Sequence, residues 1–309
     1  MKEKIIERIN RMSSSFIFHG PKGCGKKHLA FDIAKTMLCT SQKNKPCGTC
    51  DECKKVDDLN HVNIIFVHPH IDPENKKSKS KGMTIAIDDV REQIIDQLVF
   101  TPGEKGKRFI IIDQAHRLNK ESANALLKSL EEPPANTAFF LLTHNLHSFL
   151  PTIISRCQLI GVPPLSNQKL AEILEIPQDH FLIDYAGGSA SALKFYLSNE
   201  TVIKEIIDFV NTPTGRTYPE IKNLVEQITD MSLGDEENPI AKASEFENLE
   251  YLMALIEIVL LRSSALDIPR KAMELNSIFK KIYQNTSTSM VFENMLLELS
   301  RTDGGGRNV

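Results

Sequence analysis

The sequence predicts an α/β domain with a parallel sheet, followed by an all-helical part. Three observations carry that expectation. Short, near-continuously apolar runs alternate with helix-period segments through the first half, a glycine-rich turn directly follows the first run, and strand signals stop at Ser166. Such alternation marks a parallel sheet covered by helices, whose strands are apolar on both faces.

The elements follow in order. Phe16 to His19 forms the first strand, and the helix after the glycine turn runs through Leu29, Ile33 and Leu38. Val62 to Val67, Phe109 to Asp113 and Thr137 to Thr143 read as further strands, with Gln158 to Val162 closing the domain. Ile87 to Leu98 and Lys120 to Leu130 carry apolar residues at helical spacing, Asn119 is a plausible N-cap for the second, and Pro133-Pro134 stops it. Beyond Ser166 helical patterns dominate, at 201–211, Leu249 to Leu261 and 287–300. Gly187-Gly188 makes a turn, and Asp303 to Val309 is expected to be a frayed tail. No internal repeat is present.

Length and composition exclude several classes. At 309 residues the chain has room for two or three domains, and 41% hydrophobic with 25% charged residues is a globular balance. No stretch approaches the roughly 20 apolar residues of a membrane span, and Met1 to Arg11 scatters charges where a signal peptide needs an apolar core, so a cytoplasmic chain is expected. A net charge of −3 provides no global attraction for a polyanion; contact with DNA must be local or supplied by partners. The one basic run, Lys76 to Lys81, reads as a solvated loop.

The glycine turn is Gly20-Pro21-Lys22-Gly23-Cys24-Gly25-Lys26-Lys27, set between a strand and a helix as a phosphate loop must be. Lys26 would reach the terminal phosphates. The last position needs a hydroxyl to ligate Mg²⁺, and Lys27 puts a cation there instead. A second defect follows the strand ending at Asp113, where Gln114 stands in place of an acidic residue and cannot accept a proton from an attacking water. Hydrolysis is therefore expected to be crippled. A nucleotide bound at the altered loop and a glycine turn with no ligand both remain open.

Cys39, Cys47, Cys50 and Cys53 form a C-x7-C-x2-C-x2-C array in a polar insertion containing Lys43, Lys45, Pro46, Gly48 and Asp51. Four thiolates can close a tetrahedral shell around Zn²⁺ and leave no open position, which makes the expected site structural. His61, His68 and His70 add nothing to a complete ligand set, and Cys24 and Cys157 stand outside it.

A longer set of motifs is specific. Ile85-Ala86-Ile87-Asp88-Asp89-Val90-Arg91, Gly106-Lys107-Arg108, His116-Arg117-Leu118, Ala123 to Lys128, Leu130-Glu131-Glu132-Pro133-Pro134, Thr143-His144-Asn145, Leu150 to Ile153 and Ser155-Arg156-Cys157 resemble bacterial DNA polymerase III clamp-loader subunits of the AAA+ family. The resemblance covers about residues 13 to 195. It implies an AAA+ P-loop domain with a zinc-binding insertion over 1–164 and a helical lid over 165–197; the helical remainder carries no matching motif and fits the family's all-α C-terminal collar, over 198–303, by class alone, with a flexible tail expected at 304–309. The Ser-Arg-Cys motif implies that Arg156 is an arginine finger offered to ATP on a neighbouring subunit, against the alternative of an arginine paired with a local carboxylate. Asn145 resembles the family's sensor 1, its other reading being a helix cap. Around Gly187 to Leu193, where ATPase members carry a basic sensor 2, this chain has only small residues and no arginine.

The candidate, degenerate nucleotide site is thus Gly20, Gly23, Gly25, Lys26, Lys27, Asp113, Gln114 and Asn145, with ATP binding open. A finger kept beside a damaged site is what the delta-prime type of subunit implies, a stator in a hetero-pentamer with gamma/tau motor and delta subunits that acts on a sliding clamp and, through the complex, on primed DNA. The alternatives are an ATP-hydrolysing gamma/tau-type motor and a zinc-dependent nucleic-acid-binding module; the aromatic residues the latter needs near the cysteines are missing.

Overall fold

Apolar residues on both sides of successive strands are buried in two separate cores. In the computed structural model, which describes residues 2–11, 14–69, 84–99, 106–212, 216–232, 239–262 and 288–300, five parallel strands form one sheet. They are β1 Ser14–His19, β2 Ile64–Val67, β3 Arg108–Ile112, β4 Thr137–Thr143 and β5 Gln158–Gly161, in the order β2-β3-β4-β1-β5. Residues alternate between faces as the pleat requires. Ile17, Ile110, Ile112, Phe139 and Leu141 enter one core, and Phe16, Phe18, Phe109, Ile111, Phe140 and Leu142 enter the other.

The expected strands are present with shifted ends. The second was expected from Val62, but Val62 is 86% exposed and the strand begins at Ile64, whose N–H donates to the His61 carbonyl in a preceding turn. An apolar residue that packs against nothing does not extend a strand. The third runs Arg108–Ile112, with Asp113 just beyond it, and the last stops at Gly161, one residue before Val162.

Helices cover both faces. On the Ile17 side lie α4 Ile87–Val90, a π turn Arg91–Ile95, α5 Asp96–Leu98, and α6 Lys120–Glu131, with α7 Pro151–Ile154 beside them. Asn119 caps α6 as expected, its side chain accepting from the Ser122 N–H at 2.7 Å. On the Phe16 side lie α1 Lys2–Arg11 and α2 Lys26–Leu38. α1 is a helix not expected from the sequence, although Ile5 and Ile9, one turn apart, are both buried. A short helix, α3 Asp51–Asp57, packs on α2.

The described residues divide into two compact units, the first ending at Leu165 and the second beginning at Ser166. Among the described residues the second is helical throughout: α8 Asn167–Leu174, α9 Leu182–Tyr185, α10 Ala190–Ser198, α11 Glu200–Asn211, α12 Tyr218–Ser232, α13 Pro239–Arg262 and α14 Thr288–Ser300. Ser166 and Ser189 cap α8 and α10. Ile203, Ile206 and Val210 of α11 are buried, α11 packs on α12 and α13, α14 packs on α12, and the buried Tyr196 hydroxyl donates to the Tyr251 carbonyl at 2.8 Å. The helix expected at 249–261 lies within α13, and the described part of the one expected at 287–300 is α14; α12 is a helix the sequence analysis does not predict. Lys76 to Lys81, His70 and the tail at 303–309 lie outside the described residues. No described helix is long and apolar enough to cross a membrane.

Candidate functional site

The sheet order fixes where chemistry can occur. β1 lies between β4 and β5, and ligands of open α/β sheets bind beyond the carboxyl ends of the strands near such a reversal of order. The loop after β1, Asp113 and Gln114 after β3, and Asn145 after β4 all lie at that edge.

The loop is shaped by its glycines. Gly20 has φ 154°, and a Cβ there would stand 2.1 Å from the Val162 carbonyl oxygen. That close approach joins the loop to the end of β5, where the Val162 N–H donates to the His19 carbonyl at 2.7 Å. Gly25 has φ 88°, a left-handed conformation that starts α2.

The two lysines of the motif diverge. Lys26 Nζ donates to the carbonyls of Gly20 at 2.9 Å and Pro21 at 2.6 Å, so its ammonium is held inside the loop. Burial lowers its pKa, with Cys24 and Asp113 acting the other way. Lys27 lies over the Phe66 ring of β2, 4.5 Å from its centroid. The Lys27 cation therefore stacks on an aromatic face.

Gln114 adopts a left-handed conformation with φ 45°. Its backbone N–H donates to Asp113 Oδ1 at 2.9 Å, and its side-chain oxygen accepts from Arg117 Nε at 2.8 Å. The neutral amide is oriented but offers no site for a proton. Nearby, the His116 and His144 rings meet edge to face at 4.2 Å, and Thr143 Oγ1 lies 3.2 Å from His116 Nδ1. Burial, then the charges of His144, Arg117, Lys22 and Lys26, push the His116 pKa down to about 3. Such clustered positive charge suits an anion. His116, His144, Lys22 and Arg117 were not singled out as site residues; only the fold brings them together.

Asn145 occupies the N-cap position of the turn Leu146–Ser148, but its side chain makes no capping bond. The helix-cap reading is therefore not realised, and the exposed side chain remains at the sheet edge. Arg156, just after α7, pairs with a local carboxylate: Nε donates to Glu131 Oε2 at 2.8 Å and Nη1 to the Thr152 carbonyl at 3.0 Å. The pair is partly solvated, with 30% of the Arg156 and 57% of the Glu131 side chain exposed.

The cysteine array joins the end of α2 to α3. Cys39 follows α2, Cys50 is the N-cap of α3 and Cys53 lies within it. All four sulfurs lie within 4.8 Å of one another, with Cys47–Cys53 at 4.0 Å and Cys39–Cys50 at 3.9 Å. Sulfurs bound tetrahedrally to zinc at about 2.3 Å stand about 3.8 Å apart, so the donor set fits that ion. Backbone N–H groups of Cys47 and Cys50 donate to Cys39 Sγ and Cys47 Sγ at 3.4 and 3.3 Å, a geometry that favours thiolates. Hydrogen bonds from the Cys53 and Thr40 backbone hold Cys50 at about 5, while burial pushes Cys53 up to about 12. Lys35 of α2 pairs with Asp57 of α3 at 2.6 Å. His61 is buried beside Glu52, its Nε2 2.7 Å from the carboxylate, and is not one of the clustered ligands.

Comparison with known proteins gives a family for the first part of the chain and a likeness of fold for nearly all of it. A family model described as DNA polymerase III, delta subunit, matches residues 3–166. A DNA polymerase III subunit delta' of Bacillus subtilis is 32% identical over 170 residues, 55% of this chain and 48% of that protein. A subunit tau of Salmonella typhimurium is 31% identical over 168 residues, 54% of this chain and 24% of that protein. The chain thus spans less than half the length of these curated relatives. Among solved structures, a DNA polymerase III gamma subunit-related protein from Thermotoga maritima superposes with a TM-score of 0.53 at 16% identity, covering 96% of this chain and 98% of that one, a likeness of fold.

Proposed function

We propose, for a chain that belongs to the DNA polymerase III delta-subunit family, that it is the delta-prime, or stator, component of an AAA+ clamp loader. In this reading it joins gamma/tau motor and delta subunits in a hetero-pentamer, helps load a sliding clamp onto primed DNA, and hydrolyses no ATP itself. The observation that carries the reading is Gln114: the position that would activate water holds a neutral amide whose oxygen already accepts from Arg117. Arg156 supplies the complementary function, a permanently charged fork offered to the phosphates of ATP on a neighbouring subunit. The Glu131 contact does not oppose this, since it is a weak, partly exposed pair worth only about 0.2–1 kcal/mol and it engages Nε, the guanidinium nitrogen nearest the stem.

The cysteine array is read as a structural zinc site that ties the polar insertion to α2. Residues 165–197 are assigned as a lid, 198–303 as a collar for oligomerisation and 304–309 as a tail. The cationic edge around Lys22, Lys26 and His116 can accept a nucleotide's phosphates, but Lys27 over Phe66 provides no oxygen for the accompanying metal.

The test is reconstitution with motor and delta subunits, clamp and primed DNA. Clamp loading is expected to require this chain, and the chain alone is expected to be inactive toward ATP. Steady ATP turnover by the isolated chain would instead support the motor reading, which its likeness to tau favours.

A further inference from the structure

We propose that Glu131 is a positioning residue for Arg156, holding the guanidinium side-on so that its outer end faces a phosphate. This rests on the reading of Arg156 as a finger acting in trans.

The geometry distinguishes orienting from blocking. A guanidinium has five N–H donors. Glu131 takes the Nε donor and the Thr152 carbonyl takes one on Nη1, and among the described residues Nη2 has no partner. Nε is the nitrogen nearest the aliphatic stem. A carboxylate there restrains the side chain while leaving the Nη1–Nη2 end for phosphate oxygens; a carboxylate across that end would compete with them. Two anchors from different elements, one on α6 and one on α7, define the plane of the fork.

The position of Glu131 is itself unfavourable to its helix. It is the last residue of α6, where the helix dipole presents its negative end and disfavours an acid. Arg156 offsets that repulsion. Because the fork is pre-organised, less freedom is lost when it engages phosphate, and the expected benefit falls on the rate of the chemical step more than on nucleotide affinity.

The experiment measures steady-state ATP turnover by the assembled complex, with complex formation checked by sedimentation, for wild type, Glu131→Gln, Glu131→Asp, Arg156→Ala and the Glu131→Gln/Arg156→Ala double variant. Glu131→Gln is expected to lower kcat by about fivefold with little change in KM, the size of a solvent-exposed pair. Glu131→Asp should recover part of that loss, and the double variant should be no slower than Arg156→Ala alone. If Arg156→Ala lowers turnover while Glu131→Gln is unchanged or faster, the positioning role is overturned and the finger reading stands. If Arg156→Ala leaves turnover unchanged, the finger reading fails and this proposal fails with it.

Discussion

The ammonium of Lys27 lies 4.5 Å from the centre of the Phe66 ring, joining the first turn of α2 to β2 by a cation–π contact. Phe31 of α2 meets the same ring edge-on at 5.3 Å, so Phe66 is held from two sides. Lys27 thus serves packing. Lys27→Thr is expected to add Mg²⁺-dependent ATP binding without turnover, because Gln114 still provides no base, a loss of about 10²–10⁴ in rate. Titration with a fluorescent ATP analogue, with and without Mg²⁺, reads the first effect. Turnover by Lys27→Thr alone would contradict the second.

His116 predicts an acid-sensitive fold. Its folded pKa, about 3, lies below the ordinary 6.5, so the unfolded chain takes up a proton first as pH falls. Its contribution is fully present above 6.5 and is lost as pH falls toward 3, amounting to about 1–3 kcal/mol once its partial exposure is discounted. Urea midpoints measured from pH 7 to 4 should fall less steeply for His116→Asn than for wild type.

Gly20→Ala should destabilise the first unit by about 3 kcal/mol, the upper range for forced overpacking. The added methyl would meet the Val162 carbonyl at 2.1 Å, a backbone atom that cannot rotate away. Gly25→Ala meets no atom within 4 Å and is strained only by its φ of 88°, with an expected loss of about 1 kcal/mol. Denaturant unfolding of both variants checks the order.

The four-sulfur cluster predicts one zinc per chain, released by a thiol-modifying mercurial and counted with a chromogenic chelator. Cys50→Ser should lower that stoichiometry and increase amide exchange at the end of α2, since Cys39 and the Lys35–Asp57 pair tie the array there. Full zinc retention by Cys50→Ser would contradict a four-cysteine site.

The strands were legible because burial on both faces makes them apolar throughout, as in Phe109 to Ile112. Val62 misled for the converse reason: hydrophobicity records what a residue is, not whether anything covers it. The helix start at Asn119 could be read because capping is local chemistry, whereas α1 carries its signal in only a few isoleucines among charges. The cysteine spacing was explicit. Two features of the site were not. Glu131 is 25 positions from Arg156, and the residues around His116 come from beyond the ends of three strands. Only the sheet order brings such residues together.

The central claim, that this chain completes another subunit's active site, is tested most directly by ATP turnover of the motor subunit in the full assembly with clamp and primed DNA. The measurement compares wild type, Arg156→Ala and omission of this chain. The account predicts turnover that requires the chain and falls sharply when Arg156 is removed at unchanged complex formation, the one motor site beside it slowing by about 10³ or more. Equal turnover with wild type and Arg156→Ala would contradict it.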